Sequence, residues 1–139
     1  MEGKIKVAAS VDYDKDCIFD VFIRKDNSET HITFDGAVDT WQGFAKQLIG
    51  FPRNVADTAV FSVEGNSHRD TLLLAAYCYD GAGHTALRVA TDNNADLPAR
   101  CKMEFSIRAE AASLNKLGRL LLGWSVENDS EIVWEAQTS

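Results

Sequence analysis

Apolar residues recur along this chain with two periods, two and about 3.6, and the switches between them lay out the elements. The clearest period-two stretch is Cys101-Lys102-Met103-Glu104-Phe105-Ser106-Ile107-Arg108. Cys101, Met103, Phe105 and Ile107 fall on one face, and Lys102, Glu104, Ser106 and Arg108 on the other. One dry and one wet face mark an antiparallel sheet with a solvated side. Phe19, Val21 and Ile23 alternate in the same way, as do Ile32 and Phe34, with a hairpin turn expected at Lys25-Asp26-Asn27-Ser28 between them. Thr71–Tyr79 is apolar on both sides, which predicts a mid-sheet strand covered on both faces. It runs into Asp80-Gly81-Ala82-Gly83, the strongest turn signal in the chain, and then into His84–Val89, so these two strands are expected to pair directly.

Two stretches follow helical spacing instead. Val38, Trp41, Phe44, Ala45, Leu48 and Ile49 form one stripe, stopped by Gly50 and Pro52. Leu114, Leu117, Leu121 and Trp124 form the second, which ends near Gly123. A short strand is expected from Glu131 to Glu135, followed by loose terminal residues. The order is then three strands, a helix, four strands, a helix and one more strand. Antiparallel strands with segregated helices predict an α+β domain, a two-layer antiparallel sheet of about six to eight strands with two amphipathic helices. The repeated strands–helix order hints at an internal duplication, although no residue identity between the halves supports one.

Composition narrows this picture. With 139 residues, 45% of them hydrophobic, and 2 prolines, the whole of 1–139 reads as a single domain able to bury its own core. No apolar run approaches the roughly 20 residues that span a bilayer, and none follows the N-terminal charges as in a secretory signal. The 3 cysteines, Cys17, Cys78 and Cys101, match neither a disulfide framework nor paired zinc-ligand spacing, so cytoplasm is the expected compartment. Cys78 and Cys101 are expected inside and Cys17 outside. Net charge is −7, with an acidic excess at both ends of the chain. Nucleic acid and anionic membrane are therefore poor partners, and a basic protein is a good one.

Candidate chemistry is sparse. Asp12-Tyr13-Asp14-Lys15-Asp16 has the alternating carboxylates that open a calcium loop. Cys17 stands where that loop needs glycine and Ile23 where it needs its bidentate glutamate, so no metal site is expected. The carboxylates near Cys17 would raise its thiol pKa rather than activate it. His84 follows a glycine-rich turn beside Asp80, where a general base would need a pocket and a nucleophile from elsewhere in the fold. The glycines lead into a strand and not into a helix, so no phosphate-binding fingerprint forms. Trp134, flanked by Glu131 and Glu135, has the composition of an interface anchor.

Three stretches taken together, Trp41-Gln42-Gly43-Phe44 through Phe51-Pro52, Tyr79-Asp80-Gly81-Ala82-Gly83-His84, and Phe105-Ser106-Ile107 through Leu114 to Leu122, resemble a group of small uncharacterised bacterial proteins. Some of that group are similar to immunity proteins encoded beside polymorphic toxins. The resemblance covers the middle two-thirds of the chain and implies a bacterial, non-enzymatic binding protein with no cofactor. The expectation is a protein that masks a basic toxin domain through Asp12, Asp14, Asp16, Glu131, Trp134 and Glu135. The alternative is a small-molecule-binding domain or enzyme with a pocket between sheet and helices, at His84.

Overall fold

The computed structural model of the chain describes residues 3–138. In chain order these form β1 (Gly3–Val11), β2 (Cys17–Lys25), β3 (Ser28–Gly36), α1 (Gln42–Ile49), β4 (Thr58–Val63), β5 (Thr71–Cys78), β6 (Thr85–Asp92), β7 (Lys102–Arg108), α2 (Ala111–Leu122) and β8 (Ser130–Glu135). The fold is α+β, with the expected element order. The eight strands divide into two antiparallel four-stranded sheets, β3-β2-β1-β8 and β4-β5-β6-β7.

That strand order exposes a repeat that residue identity conceals. The chain runs β1-β2-β3-α1-β4 and then β5-β6-β7-α2-β8, each half contributing three strands to its own sheet. The last strand of each half crosses over: β4 pairs with β5 and β8 pairs with β1. Neither sheet is complete without a strand from the other half.

Alternation fixes which faces meet. Phe19, Val21 and Ile23 on β2 are fully buried, while Ile18 before them and Phe22 among them point outward. The inward rows of both sheets and the buried stripes of both helices belong to one core cluster. Across the interface the hydroxyls of Thr30 and Thr91 share a buried hydrogen bond of 2.8 Å, and Phe34 meets Phe61 with ring centroids 5.9 Å apart. Each large apolar side chain so placed stabilises the fold by about 1.5–3 kcal/mol relative to exposure. The Lys25-Asp26-Asn27-Ser28 turn closes on a Lys25↔Ser28 pair, with Asp26 at φ 51°.

The helices pack on each other through Gly118. A Cβ there would lie 2.8 Å from both the Ala45 carbonyl and the Leu48 Cβ, so glycine permits the close approach. Asn115 Nδ2 donates to the carbonyls of Leu48 (2.8 Å) and Phe51 (2.7 Å), tying α2 to the turn that ends α1. Gln47 on α1 accepts from the Val60 N–H of edge strand β4 at 3.0 Å, which ties helix to sheet.

Several placements differ from the pattern reading. Cys17 is buried and Cys101 exposed, the reverse of expectation, because β2 begins at Cys17 with an inward residue whereas β7 begins one residue after Cys101. Phe105 points inward but is only partly buried, near the open edge of its sheet. The outward side of β5 (Leu73, Ala75, Tyr77) is half-buried rather than covered, because the helices pack on the inner face alone and belong to the one core cluster. The residues after β8 are tied down: Ala136 is buried, with its N–H on the Gly3 carbonyl (2.9 Å), and the Gln137 N–H reaches Ser113 Oγ (3.1 Å). Val38 and Ile49 lie at the margins of the helical stripe and are exposed.

Two hairpin clefts of unlike charge as the candidate functional site

The first hairpin of each half ends in the same loop. In Asp12–Asp16, one carboxylate oxygen of Asp12 accepts the N–H of Asp14 (2.9 Å) and of Asp16 (3.0 Å). In Asp80–His84, one oxygen of Asp80 accepts the N–H of Ala82 (3.0 Å) and of His84 (3.1 Å). In both, the fourth residue donates its N–H to the carbonyl of the first, and that fourth residue has positive φ: Lys15 at 67°, Gly83 at 85°. A short carboxylate bonding forward to the backbone builds such a loop from five residues. Glycine takes the left-handed position freely; lysine takes it at a cost of about 1–2 kcal/mol.

Each loop overhangs an open cleft of about 470 Å³, walled on one side by the end of the third strand of its half. In the first cleft that strand is β3, and the walls include Asp12, Asp16, Asp35 and Asn128. In the second it is β7, and the walls include His84, Arg108, Glu110 and the first turn of α2, Ala111 and Ala112. The loops match; their charges do not.

Sheet register explains why carboxylates gather at the first cleft. Val11, Cys17 and Gly36 lie in one row across β1, β2 and β3, and Ser130 of β8 sits opposite Ala9. The hairpin tip, the end of β3 and the loop entering β8 therefore share one end of the sheet. Asn128 Oδ1 accepts from the Val11 N–H (3.0 Å) and the Asp129 N–H reaches the Ala9 carbonyl (2.9 Å), which holds that last loop beside the tip. Asp35, Glu127 and Asp129 thus join Asp12, Asp14 and Asp16 at this end, with Asp35 bonded to Arg69. Tyr13, at the tip, is wholly exposed at 104%.

The carboxylate oxygens of Asp12, Asp14 and Asp16 come within 4.8 Å of one another. These exposed groups are the ones among the described residues that could approach a cation. They supply three side chains toward the six to eight oxygens calcium takes, and one oxygen of Asp12 is already engaged by the backbone. Below them the Cys17 thiol is pushed up in pKa by burial, and further by Asp12 and Asp16, so it is inert as a nucleophile.

At the second cleft the fifth loop residue is a base instead of an acid. His84 Nδ1 lies 2.6 Å from Asp80 Oδ2, and its ring stacks on Tyr79 with centroids 5.9 Å apart at 21°. Hydrogen bonds from the His84 ring, then from the His84 and Ala82 N–H groups, hold the Asp80 carboxyl below the usual carboxylate range. Of the hydroxyl residues that line this cleft, Tyr79, Thr85 and Thr138, Thr85 is buried and donates to the Ala109 carbonyl.

The remaining predicted residues are dispersed. Trp134 is not a surface anchor: it is 1% exposed, its indole N–H donates to the Ser113 carbonyl at 2.8 Å, and it fixes β8 to α2. An aromatic between two glutamates has the composition of an interface, but β-strand alternation turns the glutamates out and the tryptophan in. Glu131 pairs with Lys6 at 3.2 Å. Glu135 stands opposite Lys4, toward the far end of the strand from the acidic tip. Sequence reasoning missed Asp35, Arg108 and Glu110, which reach the clefts only through strand register, and Glu127 and Asp129, which flank Asn128 at the first. It also missed Tyr13, whose signal was its place at the centre of a tight acidic turn.

No family model matches the chain, and no match to it is found among curated proteins or among solved structures. No helix among the described residues is long and apolar enough to cross a membrane.

Proposed function

We propose that this is a bacterial cytoplasmic binding protein that offers the acidic end of its first sheet to a basic protein, in the manner of an immunity protein masking a toxin domain. The observation that carries the reading is the convergence of Asp12, Asp14, Asp16, Asp35, Glu127 and Asp129 from three separate segments onto one end of the sheet, around the exposed ring of Tyr13. A field of one sign attracts a partner of the other and speeds encounter. A rigid exposed tyrosine suits the centre of such a contact, where aromatic residues account for much of the affinity. Tyr13 takes the role that the sequence assigned to Trp134.

The test is capture of a partner from source-cell lysate, followed by association kinetics at two salt concentrations. Neutralising Asp12, Asp14 and Asp16 to asparagine is expected to slow association by about tenfold at low salt and far less at high salt, because exposed charges are screened within about 8 Å at physiological ionic strength. Tyr13→Ala is expected to act on dissociation instead, by about 2 kcal/mol. Capture of acidic partners alone, or kinetics indifferent to both changes, ends this reading.

A further inference from the structure

We infer that the second cleft, between the β5–β6 hairpin tip and the start of α2, binds a small ligand bearing an oxyanion, a phosphate or carboxylate, independently of any protein docked at the acidic end. Its twin supplies the contrast. The two loops share the hydrogen bonds made by their first aspartate and the same positive-φ position, and they overhang clefts of the same volume, while the closing N–H comes from Asp12 in the first and from Tyr79 in the second. What differs is what each presents: Asp16 and Asp35 at the first, His84 and Arg108 at the second. In a chain of net charge −7, basic groups line this cleft as they also line the outer face of the first sheet at Lys4, Lys6, Arg24 and His31; here the guanidinium and imidazole stand beside a helix end.

His84 is held on two sides, by Asp80 at Nδ1 and by Tyr79 across its ring face, so the ring orientation is set before any ligand arrives. Its other ring nitrogen, Nε2, is the one left to meet a ligand. Orienting one imidazole nitrogen by a carboxylate so that the other can act is a recurrent use of histidine. Ala111 and Ala112 form the opposite wall, and the N–H groups of a first helical turn point outward from the helix end. The Ser113 and Leu114 N–H groups turn back to the Glu110 carbonyl, and no acidic side chain stands in the first turn itself. The small methyl side chains of the two alanines leave the helix end approachable. Glu110, at the rim, is the opposing charge; it favours a ligand that also carries a donor, such as a hydroxyl or an ammonium, over a bare polyanion. About 470 Å³ lies in the range of small-molecule sites.

Inorganic phosphate and acetate, titrated separately into isotope-labelled protein, form the test, with backbone amide shifts and the His84 ring signals as the readout. Saturable shifts confined to Gly83, His84, Ala111 and Ala112 are expected with at least one of the two, and which one binds tighter separates phosphate from carboxylate ligands. His84→Ala and Arg108→Gln should each weaken that binding by about fivefold to tenfold, the loss of one hydrogen bond to a charged group. Asp12→Asn, in the twin loop, should leave it unchanged. Absence of saturable shifts with both probes overturns the proposal, as do shifts that persist undiminished in His84→Ala and Arg108→Gln proteins whose spectra show an intact fold. Either failure would leave the acidic-end reading untouched, since the probes do not compete with a basic protein for Asp12–Asp16.

Discussion

The two hairpin loops at Asp12–Asp16 and Asp80–His84 share the hydrogen bonds made by their first aspartate, yet one concentrates charge and the other neutralises it. In the first, the fifth residue is a second carboxylate, and nothing in the loop but Lys15 offsets three acids. In the second, the fifth residue is His84, whose ring closes on the spare oxygen of Asp80. The lesson is that backbone geometry and surface chemistry are set by different positions. Residues one and four decide the turn; residues two, three and five decide what the turn offers a partner. A duplicated architecture can therefore keep its loops and diverge in its ligands.

The same division holds in the core. The first half gathers aromatic rings, with Trp41 stacked on Phe61 at 4.2 Å and Phe19 packed against Phe34 and Trp41, and Trp124 of the second half joins them on Phe19. The second half relies on Leu72, Leu74, Leu87, Val89 and Ile107. Trp134 crosses between them, a residue of the second half completing the sheet of the first. Trp134→Ala should carry the largest cost, about 3–5 kcal/mol in urea denaturation, through the cavity and the lost indole hydrogen bond to Ser113. Trp41→Phe should cost under about 1.5 kcal/mol, because the Trp41 indole N–H is buried without a partner and its loss removes an unsatisfied donor. Equal losses at the two tryptophans would contradict the claim that β8 pins the halves together.

Much of the fold was legible, and physics explains which part. Element order followed from apolar periodicity because each inward row must be dry. The partition into two sheets was not legible, since β4 and β8 read as ordinary strands and nothing local in Thr58–Val63 or Ser130–Glu135 names the strand that will receive them. The candidate site suffered most from this. Asp12, Asp14 and Asp16 are neighbours in sequence and were found; Asp35 and Asp129 join them only once the sheet register is known. The loop motif itself was present in both segments. It was missed because its signature is a hydrogen-bond pattern from one aspartate, carried by otherwise dissimilar residues.

The second loop makes a smaller, pH-dependent prediction. The Asp80 carboxyl is held below its usual range by the His84 ring and by loop N–H groups. A depressed folded pKa stabilises the protein above the unfolded value, about 3.9, and that contribution is lost as pH falls through the lower folded value. Asp80→Asn should therefore be less stable than the parent at neutral pH, with the difference vanishing at the acid end of a series of thermal melts. A difference that stayed constant across the series would show that the carboxylate charge is not what organises the loop.

The smallest expected effect is also the most direct test of equivalence between the loops. Asp16 occupies the position that His84 occupies in the other hairpin, and Asp12, like Asp80, bonds the loop backbone through one carboxylate oxygen. Asp16→His should then reproduce the pair seen at 2.6 Å in the second loop. A histidine that gains a carboxylate partner has a folded pKa above its unfolded value of about 6.5. Its stabilisation is fully present below that unfolded value and is lost as pH rises through the folded one. The variant should accordingly gain a few tenths of a kcal/mol near pH 5.5, as exposed ion pairs do, and relinquish that gain by pH 8.5. At the same time it removes one carboxylate and adds a cation at the acidic end, so association with a basic partner should slow even where stability rises. Stability and binding moving in opposite directions at one position would establish that the first loop trades local neutrality for charge. A variant destabilised at every pH would mean that Asp16 supports the turn itself, and that the likeness of the two loops ends at the backbone.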